Sequence, residues 1–153
     1  MVFLWHKAVT AARMLSGRYL TDRLQRHWTE NKSGSCLLPA CLPSHFDGTL
    51  EHLLLFCPSL EKTRNRLLEL VSKVSAEDIQ IYLITNAVFS DPDPKVLMQF
   101  LLDCSTLPVV IQTTQHSGPH IRDRLLYVSR TWCYNIHRER MKQMQCGQVG
   151  PYF

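Results

Sequence analysis

Residues 36–58 read "CLLPACLPSHFDGTLEHLLLFCP", placing three cysteines and two histidines within 22 positions. Thiolate and imidazole are the ligands of structural zinc, which takes four in a tetrahedron, usually as two short-spaced pairs shaped by local turns. Cys36 and Cys41 are separated by four residues, "LLPA", in which Pro39 favours a bend. His52 and Cys57 are also separated by four residues, giving the order Cys-x4-Cys-x10-His-x4-Cys. His45 is the rival for the histidine position, but it sits in a loop without the matching spacing. The competing explanation is a small core in which the cysteines serve as compact apolar residues. Two pairs at ligand-like spacing favour one structural zinc on Cys36, Cys41, His52 and Cys57.

The second pair sets a geometric demand. Gly48 suits a turn, Thr49 a helix cap, and a helix through residues 51–56 would follow. On an ideal helix, positions five apart differ by about 140°. Cys57 must therefore sit where the helix unwinds, and Pro58 makes that credible by pushing the preceding residue out of helical geometry.

The elements that must position this stretch read as mainly α-helical. A first helix over 3–15 ends at Ser16-Gly17, and Leu20, Leu24 and Trp28 mark one face of a second over 19–29. "ENKSGS" at 30–35 is a polar loop. Pro58 starts a helix to about Val74, with Leu60, Leu67, Val71 and Val74 on one side and Glu61, Lys62, Arg64, Arg66 and Glu69 mostly on the other. Residues 75–90 are ambiguous: Ser75 could cap a helix, yet "IQIYLIT" is β-branched enough for a strand. After the turn "SDPDP", residues 95–104 read as a buried helix, and a short one follows Pro108. Gly118-Pro119 opens a last helix with Ile121, Leu125, Val128, Trp132 and Ile136 as its apolar stripe. The fold class is a small, mainly α domain with a zinc-knuckle-like Cys/His loop. Its parts are basic N-terminal helices (1–35), the metal motif and following helix (36–74), a C-terminal helical part (75–145) and a tail (146–153). Trp28, Phe100, Trp132 and Tyr134 lie in or near helical stripes and read as core rather than as platforms for bases.

Charge is unevenly placed within a net +4. Residues 1–35 hold six Lys/Arg against two acids, 36–117 five against nine, and 118–153 six against two. Basic ends suit a polyanion, which makes Arg18, Arg23, Arg26 and Lys32 one candidate nucleic-acid patch and Arg138, Arg140 and Lys142 another. Solvated helix faces would look the same. No secretory signal or membrane span is evident, so the expectation is an intracellular chain, nuclear or cytoplasmic, with six reduced cysteines.

"ARMLSGRYLTDRLQRHW", "CLLPAC" and "TLEHLLLFCPSLEKTRNRLLE" together resemble the region downstream of the polymerase in reverse transcriptases of non-LTR (LINE-like) retrotransposons. That region carries a Cys-Cys-His-Cys zinc motif, typically followed by "CP.L...R". "FLLDCSTLP" and "SRTWCYNIHRERMK" have the texture of the C-terminal ends of such reading frames. The resemblance supports the same four ligands and implies a former role in holding RNA template or target DNA beside a polymerase domain. The polymerase itself is not here: no Asp-Asp pair occurs to hold two metal ions, so the chain reads as a fragment without that domain and not as an enzyme. "DPDPK" invites comparison with a restriction-like nuclease through Asp93 and Asp103, but no Asp-x-Lys or Glu-x-Lys follows Asp103. Cys133 and His137, four apart on the last helix, could bind a metal only if Cys104 or Cys146 were recruited, and otherwise read as a thiol and an imidazole beside the apolar stripe. The alternative to nucleic-acid binding is a module whose helices dock on another protein.

Overall fold

Ile121, Leu125, Val128, Trp132 and Ile136 are all buried in the computed structural model, which describes residues 2–19, 21 and 34–145. They form the core-facing stripe of the longest helix, and five others pack around it or beside it. These are α1 (Val2–Leu15), α2 (Glu61–Ser75), α3 (Ile79–Ser90), α4 (Pro94–Asp103) and α5 (Pro108–Ser117), with the long α6 (His120–Gln145) at the centre. No strand occurs among the described residues, apart from one isolated bridge between Ser35 and Asp47.

The helix boundaries follow from local chemistry. α1 stops because Gly17 takes a left-handed φ of 73°, letting Arg18 N–H reach Arg13 O and Gly17 N–H reach Met14 O. That pair of bonds is a Schellman closure. α3 is a helix despite its β-branched composition, with Asp78 as its cap, accepting from Gln80 N–H at 2.7 Å. Ser75 ends α2 instead and bonds Thr85 across the turn. Ile81, Ile84, Thr85 and Val88 are the buried set, which is helical spacing, so packing against α2 and α6 overrides strand propensity. Asp93 caps α4 by accepting from Lys95 N–H at 3.0 Å. The run Pro94–Ser117 has the length and hydropathy of a membrane span. It is, however, two ten-residue helices broken at Cys104–Pro108, and Phe100, Leu101, Cys104 and Val110 are spent in the bundle core.

The core-facing stripe of α6 runs further than its apolar residues. Arg140, four residues beyond Ile136, is only 1% exposed, with its guanidinium over the Tyr19 ring at 5.4 Å. It therefore cannot serve as a phosphate contact: helical periodicity carries it to the inner face, where the ring and nearby side chains cover it. Lys7 is likewise buried, its ammonium bonded to Thr131 Oγ1 at 3.0 Å and set over Tyr127. Burial lowers its pKa.

His137 shares this corner, with Nδ1 3.0 Å from the Tyr19 hydroxyl. Burial, then the positive charges of Arg140 and Arg13, lower its pKa to about 4. The unfolded chain holds that proton with a pKa of about 6.5, so protons favour the unfolded state between those two values. The stabilisation from keeping His137 neutral is fully present above pH 6.5 and is lost as pH falls toward 4, an effect on the order of 3 kcal/mol. Urea unfolding of wild type and His137→Gln from pH 7 to 4.5 checks this. The variant should lose less stability on acidification than wild type, and parallel pH profiles would contradict the assignment.

Candidate metal centre

The loop 34–48 closes on itself before it reaches the first helical turn. Cys36 N–H donates to Phe46 O at 2.7 Å and Gly48 N–H to Gly34 O at 2.8 Å. Between these ties the chain folds into tight turns, with Cys41 N–H bonded to Leu38 O and the N–H groups of Ser44 and His45 both bonded to Cys41 O. Cys36 and Cys41 thus face inward from one small knuckle, at 1% and 0% exposure.

The second pair is aligned by an unusual turn. Thr49 Oγ1 accepts from His52 N–H at 3.2 Å, so the expected cap is present. Residues His52–Phe56 then form a π-helical turn, closed by Cys57 N–H donating to His52 O at 2.7 Å. An i→i+5 bond widens the turn and brings Cys57, five positions on, back over His52, removing most of the 140° separation of an α-helix. Cys57 is itself extended (ψ 118°) ahead of Pro58. The expected unwinding before proline is there, and the π turn adds to it.

The four donor atoms converge. Cys41 Sγ is 3.4 Å from Cys57 Sγ and 3.5 Å from His52 Nε2, and Cys36 Sγ is 3.9 Å from Cys57 Sγ. All four lie within 4.8 Å of one another, and all four residues are buried. Metal–sulfur bonds of about 2.3 Å and metal–nitrogen bonds of about 2.0 Å, at tetrahedral angles, set sulfurs roughly 3.8 Å apart and sulfur and nitrogen roughly 3.6 Å apart. The donors therefore fit one tetrahedral metal ion. His45, the rival, is exposed and held at a left-handed φ of 53°.

Without a metal, the surroundings of Cys41 favour its protonated thiol. Burial pushes the Cys41 thiol up, and charge on Cys36 adds to the rise, while hydrogen bonds from Cys57 and the Ser59 backbone act the other way. A bound divalent ion inverts that preference, since a coordinating thiol is deprotonated. The Phe46 ring stacks on His52 at 5.4 Å, which fixes the imidazole plane; the sequence pattern gave no sign of that contact.

The remaining chemistry-bearing residues do not assemble into a second site among the described residues. Cys133 bonds Leu101 O and is pushed up to about 12 by burial, and Cys104 to about 11. His137 turns to Tyr19 rather than to Cys133. Asp93 is a helix cap, and Asp103 accepts from Ser105. Of the candidate nucleic-acid residues, Arg18, Arg138 and Lys142 are exposed and Arg140 is buried. Arg23, Arg26 and Lys32 lie outside the described residues, as does most of the helix read over 19–29. No protein-family model, curated protein or solved structure matches the chain.

Cobalt(II) reports the ligand set directly. One cobalt per chain should give the intense absorption of a tetrahedral thiolate complex. Cys41→Ser should abolish it, and His52→Ala should weaken and shift it. His45→Ala should leave it unchanged; a loss there would mean the wrong histidine has been assigned.

Proposed function

We propose that the protein is a non-catalytic, zinc-stabilised nucleic-acid-binding module of the kind that follows the polymerase in non-LTR retrotransposon reverse transcriptases. The observation that carries the reading is the buried Cys36–Cys41–His52–Cys57 cluster, whose donor atoms all lie within 4.8 Å of one another, three of the distances between them being 3.4–3.9 Å. Zinc is the ion favoured by three thiolates and one imidazole in that geometry. Four protein ligands leave no open position for a reacting water, so the ion's role is structural.

A basic groove supports the nucleic-acid part. It lies between α2 and α6, encloses about 370 Å³, and its lining includes Thr63, Arg66, Asn135, Arg138, Glu139 and Lys142. Three cations against one acid, with neutral donors between them, suit phosphate oxygens, which position a strand without reading its sequence. Arg66 comes from the otherwise acidic middle of the chain, so the patch is not confined to the basic ends. Metal site and groove share a support: Gln143 Nε2 donates to Ser59 O at 2.8 Å, and Ser59 Oγ accepts from Ala40 N–H at 2.8 Å.

A second reading, docking on another protein, is favoured by apolar residues exposed around the knuckle. Leu37, Leu42, Phe46 and Phe56 are each 44–56% exposed. The two readings differ in salt dependence, because phosphate contacts release counterions and apolar docking does not.

Elemental analysis of freshly purified, reduced protein should give one zinc per chain. Fluorescent single-stranded and duplex ligands should bind with affinity falling steeply as salt rises. Arg66→Ala/Arg138→Ala should weaken binding and lower the salt slope by about two units or less. Unchanged affinity and slope would remove the groove from the interface, and no binding at low salt would leave the docking reading.

A further inference from the structure

α2 has two unlike flanks. Thr63, Arg66, Leu67 and Leu70 line the basic groove, whereas Glu61, Arg64, Asn65 and Leu68 line a second cavity. At about 100° per residue, the two sets fall on opposite sides of the helix. The second cavity holds about 380 Å³, a size typical of sites for small ligands. Phe89 and Trp132 line it with their rings 5.5 Å apart, and Phe56 lines it too. Trp132 is buried and Phe56 exposed, so aromatic surface runs from the core out to solvent.

The polar groups on this lining have unused capacity. Glu61 and Asn65 are both exposed, and neither side chain makes a hydrogen bond or ion pair among the described residues. They are four apart on α2 and therefore neighbours on one face. Asp91 already accepts from Asp93 N–H through Oδ1, and the Nη1 of Arg64 is buried. What the cavity offers a ligand is thus one free carboxylate, which only accepts, beside one free amide, which donates and accepts. Two acids against one arginine repel phosphate here, while the basic flank attracts it. A single strand held by its backbone on the basic flank can turn a base across α2 into this cavity, since a helix with its side chains is only about 10–12 Å thick. Unpaired bases are read in this way, by stacking on aromatic rings and hydrogen bonding along their edges. A carboxylate's two oxygens match two N–H donors on neighbouring atoms. Guanine alone of the common bases carries that pair, N1–H and N2–H, with the O6 acceptor next to it.

We propose that this cavity takes an unpaired guanine of a single-stranded nucleic acid, Glu61 accepting from its N1–H and N2–H groups, Asn65 donating to its O6 and Phe56 stacking on its ring. The inference rests on the nucleic-acid reading above and adds the base that the phosphate groove does not read.

The test uses the full chain and short fluorescent oligouridine strands carrying one central guanosine, inosine or adenosine, at low salt. The guanosine strand should bind roughly ten-fold more tightly than the adenosine strand, as one bidentate base contact allows. Inosine, which lacks the N2 amino group, should fall between them. Glu61→Ala should bring the guanosine-to-adenosine ratio close to one, and Asn65→Ala should lower it, an independent reading if the Glu61 variant does not fold. Phe56→Leu should weaken guanosine binding about five-fold or more through lost stacking. Arg66→Ala/Arg138→Ala should weaken every strand and keep the ratio. Equal binding of the guanosine and adenosine strands by wild type overturns the proposal. So does a Glu61→Ala effect that changes both strands alike, which is bulk electrostatics, or a preference that survives pairing of the guanosine in a duplex. Binding without preference leaves the basic groove standing, whereas no binding of any strand overturns the nucleic-acid reading and this cavity's role together.

Discussion

The hydrogen bond from Cys57 N–H to His52 O closes a turn one residue wider than an α-helix allows. An α-helical 52–56 segment would point these two side chains well apart, and the Cys36–Cys41 knuckle would face a single ligand. With the turn widened, both reach the same point as the knuckle. A π turn has poorer backbone geometry than an α turn and appears mostly as an isolated insertion at functional sites. Here the segment is held from both ends, by the Thr49 cap and by Pro58, which cannot donate a continuing hydrogen bond.

The site and the bundle depend on each other. Leu53 and Leu54, inside the π turn, are fully buried, and Trp132 Nε1 donates to Leu54 O at 3.1 Å. The same turn that presents two ligands outward to the knuckle is docked on α6 through its other residues. Ser59 adds a second tie, joined to Ala40 in the knuckle and to Gln143 on α6. A metal bound at this cluster would therefore do more than order a loop. It would fix the N-terminal end of α2 against α6, and α2 and α6 are the walls of the basic groove. In such small sites metal-binding free energy is folding free energy, so the groove's geometry and metal occupancy would be thermodynamically linked.

Much of this is legible in the sequence, for definite reasons. Cysteine and histidine at paired spacing pick out the four residues that the fold brings together, because few other arrangements use those residue types together. The α6 stripe is legible because five apolar residues repeat at helical spacing, and each is buried. Residues 79–85 mislead because β-branching reports a fit to pleated, half-buried surfaces, whereas burial at 81, 84, 85 and 88 decides for helix. Arg140 misleads because charge is taken as a mark of the surface. Its place in the i, i+4 series after Ile136 is the better signal, and Met144, buried four residues on, continues it. Arg64 misleads for a related reason: its Nη1 is buried although its helix position is on the polar face, because a polar face is defined by Cα direction while a long side chain ends elsewhere.

Arg64 and Arg140 also show how this small bundle distributes its cations. The guanidinium of Arg140 lies over an aromatic ring, and its charge adds to burial in keeping His137 neutral. Arg64 is half-buried with its Nη1 wholly buried, and Lys7 lies over Tyr127 beside Thr131. Each is a basic residue used inside the fold and so unavailable to a polyanion. The net +4 of the chain thus overstates the charge it can offer a partner. Among the described residues lining the groove, the offer reduces to Arg66, Arg138 and Lys142 against Glu139. On the proposed nucleic-acid reading, a patch of that size would supply few phosphate contacts, and few contacts mean weak binding that salt readily dissolves. A module of that kind would serve best beside a second binding surface, where a modest local contact becomes effective through its proximity to another.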